Sequence, residues 1–289
     1  MINQGFPLEV NRLYPYKKAS LSHSKGMSMN IVVCIKQVPD SDKVTIDRET
    51  NRLNRAGVPS IINPFDENAL EMALQLKDQH GGKVTVLSMG PPQAEEALRT
   101  ALSHGADEAV LISDRRFGGA DTWATSYTLS LALKKLAGPI DLILFGKQAI
   151  DGDTAQVGPG VAHFYGVPMI TYAKSCEVTA GGFRVQQVTD HGYNVWDVEK
   201  PAALTVVKEA NELRMPSLKK KLASKKAEIP VWGVDILQPD EDKIGLNGSP
   251  TKVNRIFAPP TKVNKELLSG EPADIVKELI FKLRERKVL

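Results

Sequence analysis

The sequence predicts an α/β fold: a doubly wound, mostly parallel (Rossmann-like) sheet with antiparallel strands added at one edge and a C-terminal arm. Three observations predict it. Apolar runs without alternation, such as Ile31-Val32-Val33-Cys34-Ile35, describe strands buried on both faces. These runs alternate with amphipathic helical stretches, a pattern that calls for parallel strands joined by right-handed crossovers. After Pro168 the pattern changes to strands joined by tight turns, as in antiparallel hairpins.

The elements follow in order. Asn30 opens the first strand, and a polar stretch runs from Asp40 to Gly57. Asp66 is placed as the cap of a helix reaching about Gln79, with Leu70, Ala73 and Leu74 on one face. Lys83 to Ser88 is the next strand, broken by Gly90-Pro91-Pro92. The helix Gln93–His104 ends at Gly105, where left-handed backbone is accessible. Ala109–Ile112 is a strand, Asp121–Leu136 a helix, Asp141–Phe145 a strand, and Asp153–Tyr165 a helix stopped by Gly166. Cys176–Thr179, Phe183–Thr189 and Tyr193–Val198 read as edge strands, with turns at Gly181-Gly182 and Asp190–Gly192. Beyond Met215 the chain is basic and irregular, and Pro239 to Pro250 reads as a linker. A terminal helix, Ala273 to Arg286, carries the stripe Ile275, Leu279, Ile280, Leu283, which calls for a covering partner. The expected organisation is a disordered extension or misplaced start over 1–28, a nucleotide-binding domain over 29–237, and a linker and arm over 238–289.

Composition narrows the function classes. The chain is 42% hydrophobic and 25% charged with a net charge of +3, which is globular and demands neither nucleic acid nor an anionic membrane. No apolar run is long enough to insert in a bilayer. Two cysteines without a CxxC and five unclustered histidines argue against a protein metal site and suit a reducing, cytoplasmic setting.

The segment richest in chemistry follows the Asp141–Phe145 strand: Gly146, Lys147, Gln148, Ala149, Ile150, Asp151, Gly152, Asp153, Thr154, Ala155, Gln156, Val157, Gly158 and Pro159, with Gly160 next. Small residues let backbone N–H groups approach a phosphate. Thr154 and Gln156 can donate further hydrogen bonds, and a helix N-terminus adds positive potential. Ligands of open α/β sheets sit at the carboxyl ends of the strands, where this loop falls. It is neither GxGxxG nor a Walker A, and by spacing alone it reads equally as a plain connection capped by Asp153.

The loop resembles that of the beta subunits of electron-transfer flavoproteins. The resemblance runs from Met29 to about Lys225 and includes Asn30–Lys36, Asn63-Pro64-Phe65-Asp66, Ser88-Met89-Gly90-Pro91, Ala97–Leu102 and Gly105-Ala106-Asp107. The chain departs from a later family signature at His191, Asn194 and Ala203. The resemblance implies a heterodimer with an alpha subunit and an adenine nucleotide in this chain. Cys34, Asn63, Pro64, Phe65, Asp66, Met89 and Gly90 would line the adenosine pocket, and Ala149 to Gly160 would hold phosphates. Cys34 and Met89 read equally as packing, and Asp66 as a cap.

The family divides by nucleotide: AMP in housekeeping members, FAD in electron-bifurcating ones. Asp151–Pro159 and Gly119–Tyr127 resemble the bifurcating form, which implies FAD here; the alternatives are a non-bifurcating subunit with structural AMP, or a non-redox adenine-nucleotide-binding module. The bifurcating form implies hydride uptake from NADH, with electrons passed to the alpha subunit and to ferredoxin or flavodoxin. Gly90-Pro91-Pro92-Gln93 is a candidate rest for the NADH diphosphate, or a simple turn. Leu213 to Lys226 resembles the loop that docks acyl-CoA dehydrogenase-type partners, with Leu218 as apolar anchor and Lys219, Lys220 and Lys221 steering an acidic surface.

Overall fold

A computed structural model describes residues 29–40, 45–47, 52–54, 59–252, 254 and 266–289. The extension expected over 1–28, and most of the polar stretch from Asp40 to Gly57, lie outside the described residues. In chain order the elements are β1 (Met29–Cys34), β2 (Gln37–Pro39), β3 (Thr45–Asp47), β4 (Arg52–Asn54), β5 (Ser60–Ile62), α1 (Pro64–His80), β6 (Gly82–Met89), α2 (Glu95–His104), β7 (Glu108–Ile112), α3 (Thr122–Lys135) and β8 (Leu142–Gly146). Then come α4 (Val157–Tyr165), β9 (Met169–Val178), β10 (Gly182–Thr189), β11 (Gly192–Glu199), β12 (Ala202–Val206), α5 (Leu218–Ser224), β13 (Val231–Trp232), α6 (Val234–Leu237) and α7 (Pro272–Glu285).

The main body is built on a nine-stranded sheet ordered β11-β10-β9-β12-β8-β1-β6-β7-β13. All its pairings are parallel except β9–β10 and β10–β11. This is the predicted doubly wound sheet with an antiparallel edge. Its central strands are buried on both sides, as their unbroken apolar runs require. On one face Ile31, Val33, Val84, Val86 and Leu144 pack with Leu70, Leu74 and Leu98 of α1 and α2. On the other, Val32, Leu87, Ile143 and Phe145 pack with Leu129 and Leu133 of α3 and Val161 of α4. From β1 the chain winds to β6 and β7 on one side and reaches β8 and β12 on the other. The topological switch point therefore lies between β1 and β8.

Several elements differ from the sequence expectation. Helix α1 begins at Pro64 with Asn63 as N-cap residue, so Asp66 is in the first turn and does not cap. Helix α4 begins at Val157, because Asp153 and Ala155 have φ of +52° and +53°, which a right-handed helix cannot contain. Gly166 ends it in left-handed conformation, as expected. Asp121 caps α3 by accepting from the Trp123 and Ala124 amides. Strands β12 and β13 are not predicted by the sequence pattern. The stretch read as a linker is held to the body: Asp240 N–H donates to the Tyr127 hydroxyl, and Leu246 N–H to the Gly118 carbonyl. The Ser249 hydroxyl accepts from the Asp121 amide, and Thr251 donates to the Asp121 carboxylate.

The compact body runs to Lys252, and a second unit comprises 46–54 and 253–289. Taken alone, α7 of that unit buries no residue. Val276, Leu279, Ile280 and Phe281 are exposed, and Ile275 and Leu283 are half-buried. No described helix is long and apolar enough to cross a membrane.

Candidate nucleotide-binding site

The loops after β1, β6, β7 and β8 gather at the carboxyl edge of the sheet, and the loop after β8 is the one the sequence singles out. Three residues from elsewhere hold it. The buried Asp66 carboxylate accepts the Lys36 amide at 2.7 Å through one oxygen and the Gly146 amide at 3.0 Å through the other. It thus ties the ends of the two strands that flank the switch point. Gly146 is glycine for a steric reason: a Cβ there would lie 2.3 Å from the Asp66 carboxylate and 2.6 Å from the Phe65 backbone. Burial pushes Asp66 up to about 7, against the lowering effect of its hydrogen-bond donors and of Lys36.

Asn63 is fully buried and uses both ends of its amide on the loop. It donates to the Gln148 carbonyl at 2.8 Å and accepts the Ile150 amide at 3.1 Å. Its side chain is free for this because the Asp66 and Glu67 amides of the first turn donate to the Asn63 backbone carbonyl instead. Further along, the Lys36 ammonium lies 2.7 Å from each oxygen of Asp151. Within the loop, Gln148 donates to Asp153 at 2.6 Å.

Beyond Asp151 the loop is exposed and its backbone strained. Asp153 and Ala155 have φ of +52° and +53°, which costs L-residues roughly 1–2 kcal/mol each. Ala155 is followed by Gln156 in right-handed conformation, the sign alternation that turns successive N–H groups toward one side as an anion-binding nest. The chain then enters α4, whose N-terminus has no side-chain cap. A Cβ on Gly152 would meet nothing within 4 Å, so the loop has open space beside it. These features fit a phosphate ligand: backbone of alternating hand, an uncapped helix end and room.

Gly158 and Gly160, read from sequence with the phosphate loop, have a packing reason for being glycine. A Cβ on Gly158 would meet Thr205 at 2.9 Å, and one on Gly160 would meet the Ser126 hydroxyl at 2.4 Å. They let α4 lie against the sheet and against α3. The same close approach brings Thr122 to Gln156, whose side-chain oxygen accepts its hydroxyl at 2.7 Å. The two stretches singled out separately, Gly119–Tyr127 and Asp151–Pro159, therefore meet.

Other predicted residues are placed as follows. Cys34 lies in the core on the α3–α4 face, and burial, then Asp66, pushes its thiol far above the usual range. Met89 ends β6 and packs against the same core. Gly90 donates to the Ile112 carbonyl, and Pro92–Ala94 forms a 3₁₀ turn whose Gln93 carbonyl accepts from the Gln37 side chain at 3.0 Å. The sequence assigns no role to Lys36 or Gln148, which fall within stretches it marks, and none to Tyr172. Tyr172 takes φ +57° at a bulge in β9, where the Lys147 ammonium lies 5.3 Å from its ring centre.

Far from this edge, α5 presents Leu218 and Leu222 to solvent, 74% and 57% exposed. Both ends of its segment are pinned. Arg214 pairs with Glu71 at 2.9 Å and Asp78 at 2.6 Å, while Arg99 donates to the Ser224 and Ala227 carbonyls.

A signature described as "Electron transfer flavoprotein domain" matches residues 50–237. The chain belongs to the electron transfer flavoprotein family. It is similar to the electron transfer flavoprotein subunit beta of Clostridium acetobutylicum, at 48% identity over 89% of this chain and 98% of that one. It is 45% identical to the caffeyl-CoA reductase-Etf complex subunit CarD of Acetobacterium woodii, over 90% of this chain and all of that one. Protein FixA of Azorhizobium caulinodans is 46% identical over 88% of this chain and 94% of its own length. Membership of this family makes electron transfer, as a beta-type flavoprotein subunit, the chain's function.

Proposed function

We propose that this chain is the beta subunit of a heterodimeric electron-transfer flavoprotein and holds FAD, with its phosphates on Ala149–Gly160 and its adenosine toward Asn63–Asp66 and Met89. The observation that carries the reading is the braced loop at the switch point, which leads through positive φ at Asp153 and Ala155 into the uncapped end of α4. A dinucleotide asks for more room and more donors than a mononucleotide. The open side of Gly152 gives the room, and the Gln156 side-chain NH₂, oriented by the Thr122 hydroxyl on its oxygen, adds a donor. When bound, the flavin supplies the redox chemistry, taking a hydride from NADH and giving electrons up singly; this chain's residues bind and orient it. The turn at Gly90–Gln93, on the same sheet edge, is the proposed rest for the NADH diphosphate.

The reading extends to partners. The alpha subunit, ferredoxin or flavodoxin, and an acyl-CoA dehydrogenase-type oxidoreductase complete an electron-bifurcating system in the cytoplasm. Leu218 of α5, flanked by Lys219, Lys220 and Lys221, is the proposed anchor for the dehydrogenase. The test is to co-express the chain with its alpha partner, denature the complex, and quantify released FAD and AMP. Two FAD per heterodimer is the expected result; one FAD with one AMP overturns it.

A further inference from the structure

We propose that Lys36 is a positioning residue for the nucleotide loop: by clasping Asp151 it fixes the point from which the strained, amide-presenting stretch departs. The proposal rests on the reading of that loop as the nucleotide site.

The geometry divides the loop into a held part and a presented part. Gly146 is tied to Asp66, Gln148 and Ile150 to Asn63, and Asp151 to Lys36. The Lys36 backbone is itself fixed, since its amide donates to Asp66 and its carbonyl accepts from the Asn63 amide at 2.9 Å. The ammonium therefore reaches across the switch point from an immobile base. The clasp is the last of the three ties along the chain. Gly152 follows it directly, then the positive-φ residues Asp153 and Ala155.

Two neighbouring facts argue for positioning over general stabilisation. The ammonium and carboxylate side chains are 49% and 33% exposed. A pair so open to water contributes little to folding. The loop also carries two carboxylates, Asp151 and Asp153, where phosphates are to be received. Lys36 draws the first aside and Gln148 holds the second. Releasing Asp151 would both loosen the loop and free a negative charge beside the anion.

A double-mutant cycle tests this in the co-expressed heterodimer. Lys36→Met, Asp151→Asn and the double variant are dialysed, and the adenine nucleotide remaining is quantified against time. Hydrogen exchange of the 149–156 amides and thermal melting are followed in parallel. If Lys36 acts through Asp151, each single variant loses nucleotide roughly two- to fivefold faster, within the range an exposed ion pair supports. The double variant is then no worse than either single. Exchange rises in all three, melting is unchanged, and Lys36→Arg restores retention. The proposal is overturned if the two effects multiply, if neither variant changes retention, or if Asp151→Asn slows loss while Lys36→Met speeds it. The last result would mean that the charge of Asp151, and not its clasp with Lys36, governs retention. A parent complex that releases no adenine nucleotide on denaturation overturns the site reading instead. The exchange data then decide the clasp: unchanged protection at 149–156 in both single variants overturns it.

Discussion

Replacing Asp66 by Asn isolates the carboxylate that joins β1 to β8. Each of its oxygens accepts one backbone amide, and the group is buried. Asn has a single acceptor oxygen, so one amide, of Lys36 or of Gly146, would face an NH₂ group. An unsatisfied buried donor costs about 1–3 kcal/mol. The charge acts in the opposite sense. Burial raises Asp66 to about 7, so the folded state favours the protonated acid. Its contribution to stability is fully present below the unfolded-state value near ~3.9 and is lost as pH rises through about 7. Between pH 5 and pH 8 that loss is on the order of 3 kcal/mol. The Asp66→Asn variant has no ionisation to oppose. It should be the less stable form at pH 5 and reach parity with the parent, or exceed it, at pH 8. Urea unfolding of both complexes across this range cancels every other titrating group in the difference. A stability difference that is the same at pH 5 and pH 8 refutes the buried-clamp assignment.

Other expectations follow from single contacts. Arg214→Met leaves the buried Glu71 carboxylate without its charged partner, with only the residue-214 amide and Gln75 as donors, and should destabilise by about 3 kcal/mol in urea titration; a change below about 1 kcal/mol would show the pair to be solvated. Ala155→Gly relieves the positive φ and should stabilise by roughly 0.5–1 kcal/mol with nucleotide retained, whereas a loss of stability would mean that the methyl packs. Leu218→Ala should leave melting unchanged, because the side chain is 74% exposed, yet slow electron transfer to the dehydrogenase while sparing NADH oxidation by an artificial acceptor. If both activities fall together, docking is not its role.

The central sheet was legible because Ile31–Cys34, Ala109–Ile112 and Leu142–Phe145 are unbroken apolar runs and Val84–Leu87 is interrupted only by Thr85, a pattern that fits strands buried on both faces. β12 escaped notice although it is equally buried. Ala202-Ala203-Leu204-Thr205-Val206 opens with two alanines, whose weak strand preference hides the burial. β13 is two residues long and is a strand only through its pairing with β7. At the site, the loop was located from its place after a strand and its small residues. The start of α4 was misplaced because Asp153-Thr154 imitates a cap. Asn63-Pro64 was the better helix-start signal, since Pro suits the first helical position. Lys36 could not be found this way. Its partner is 115 residues away, and no local pattern records a contact brought about by the winding of the sheet.

The two margins of the sheet are unlike. One closes on β13, too short to template another strand. The other ends on β11, eight residues long, with Tyr193, Val195 and Trp196 exposed and no described strand beyond it. Its outward row of amides and carbonyls is a ready partner for any extended chain. The charges on β11 are few: the Arg184–Asp197 pair bridges it to β10, and Glu199 ends it. Production of the chain is therefore a race. Until that margin is occupied, concentration favours β11 meeting another β11, and yield should depend on the order of synthesis and on dilution more than on the melting temperature of the finished protein.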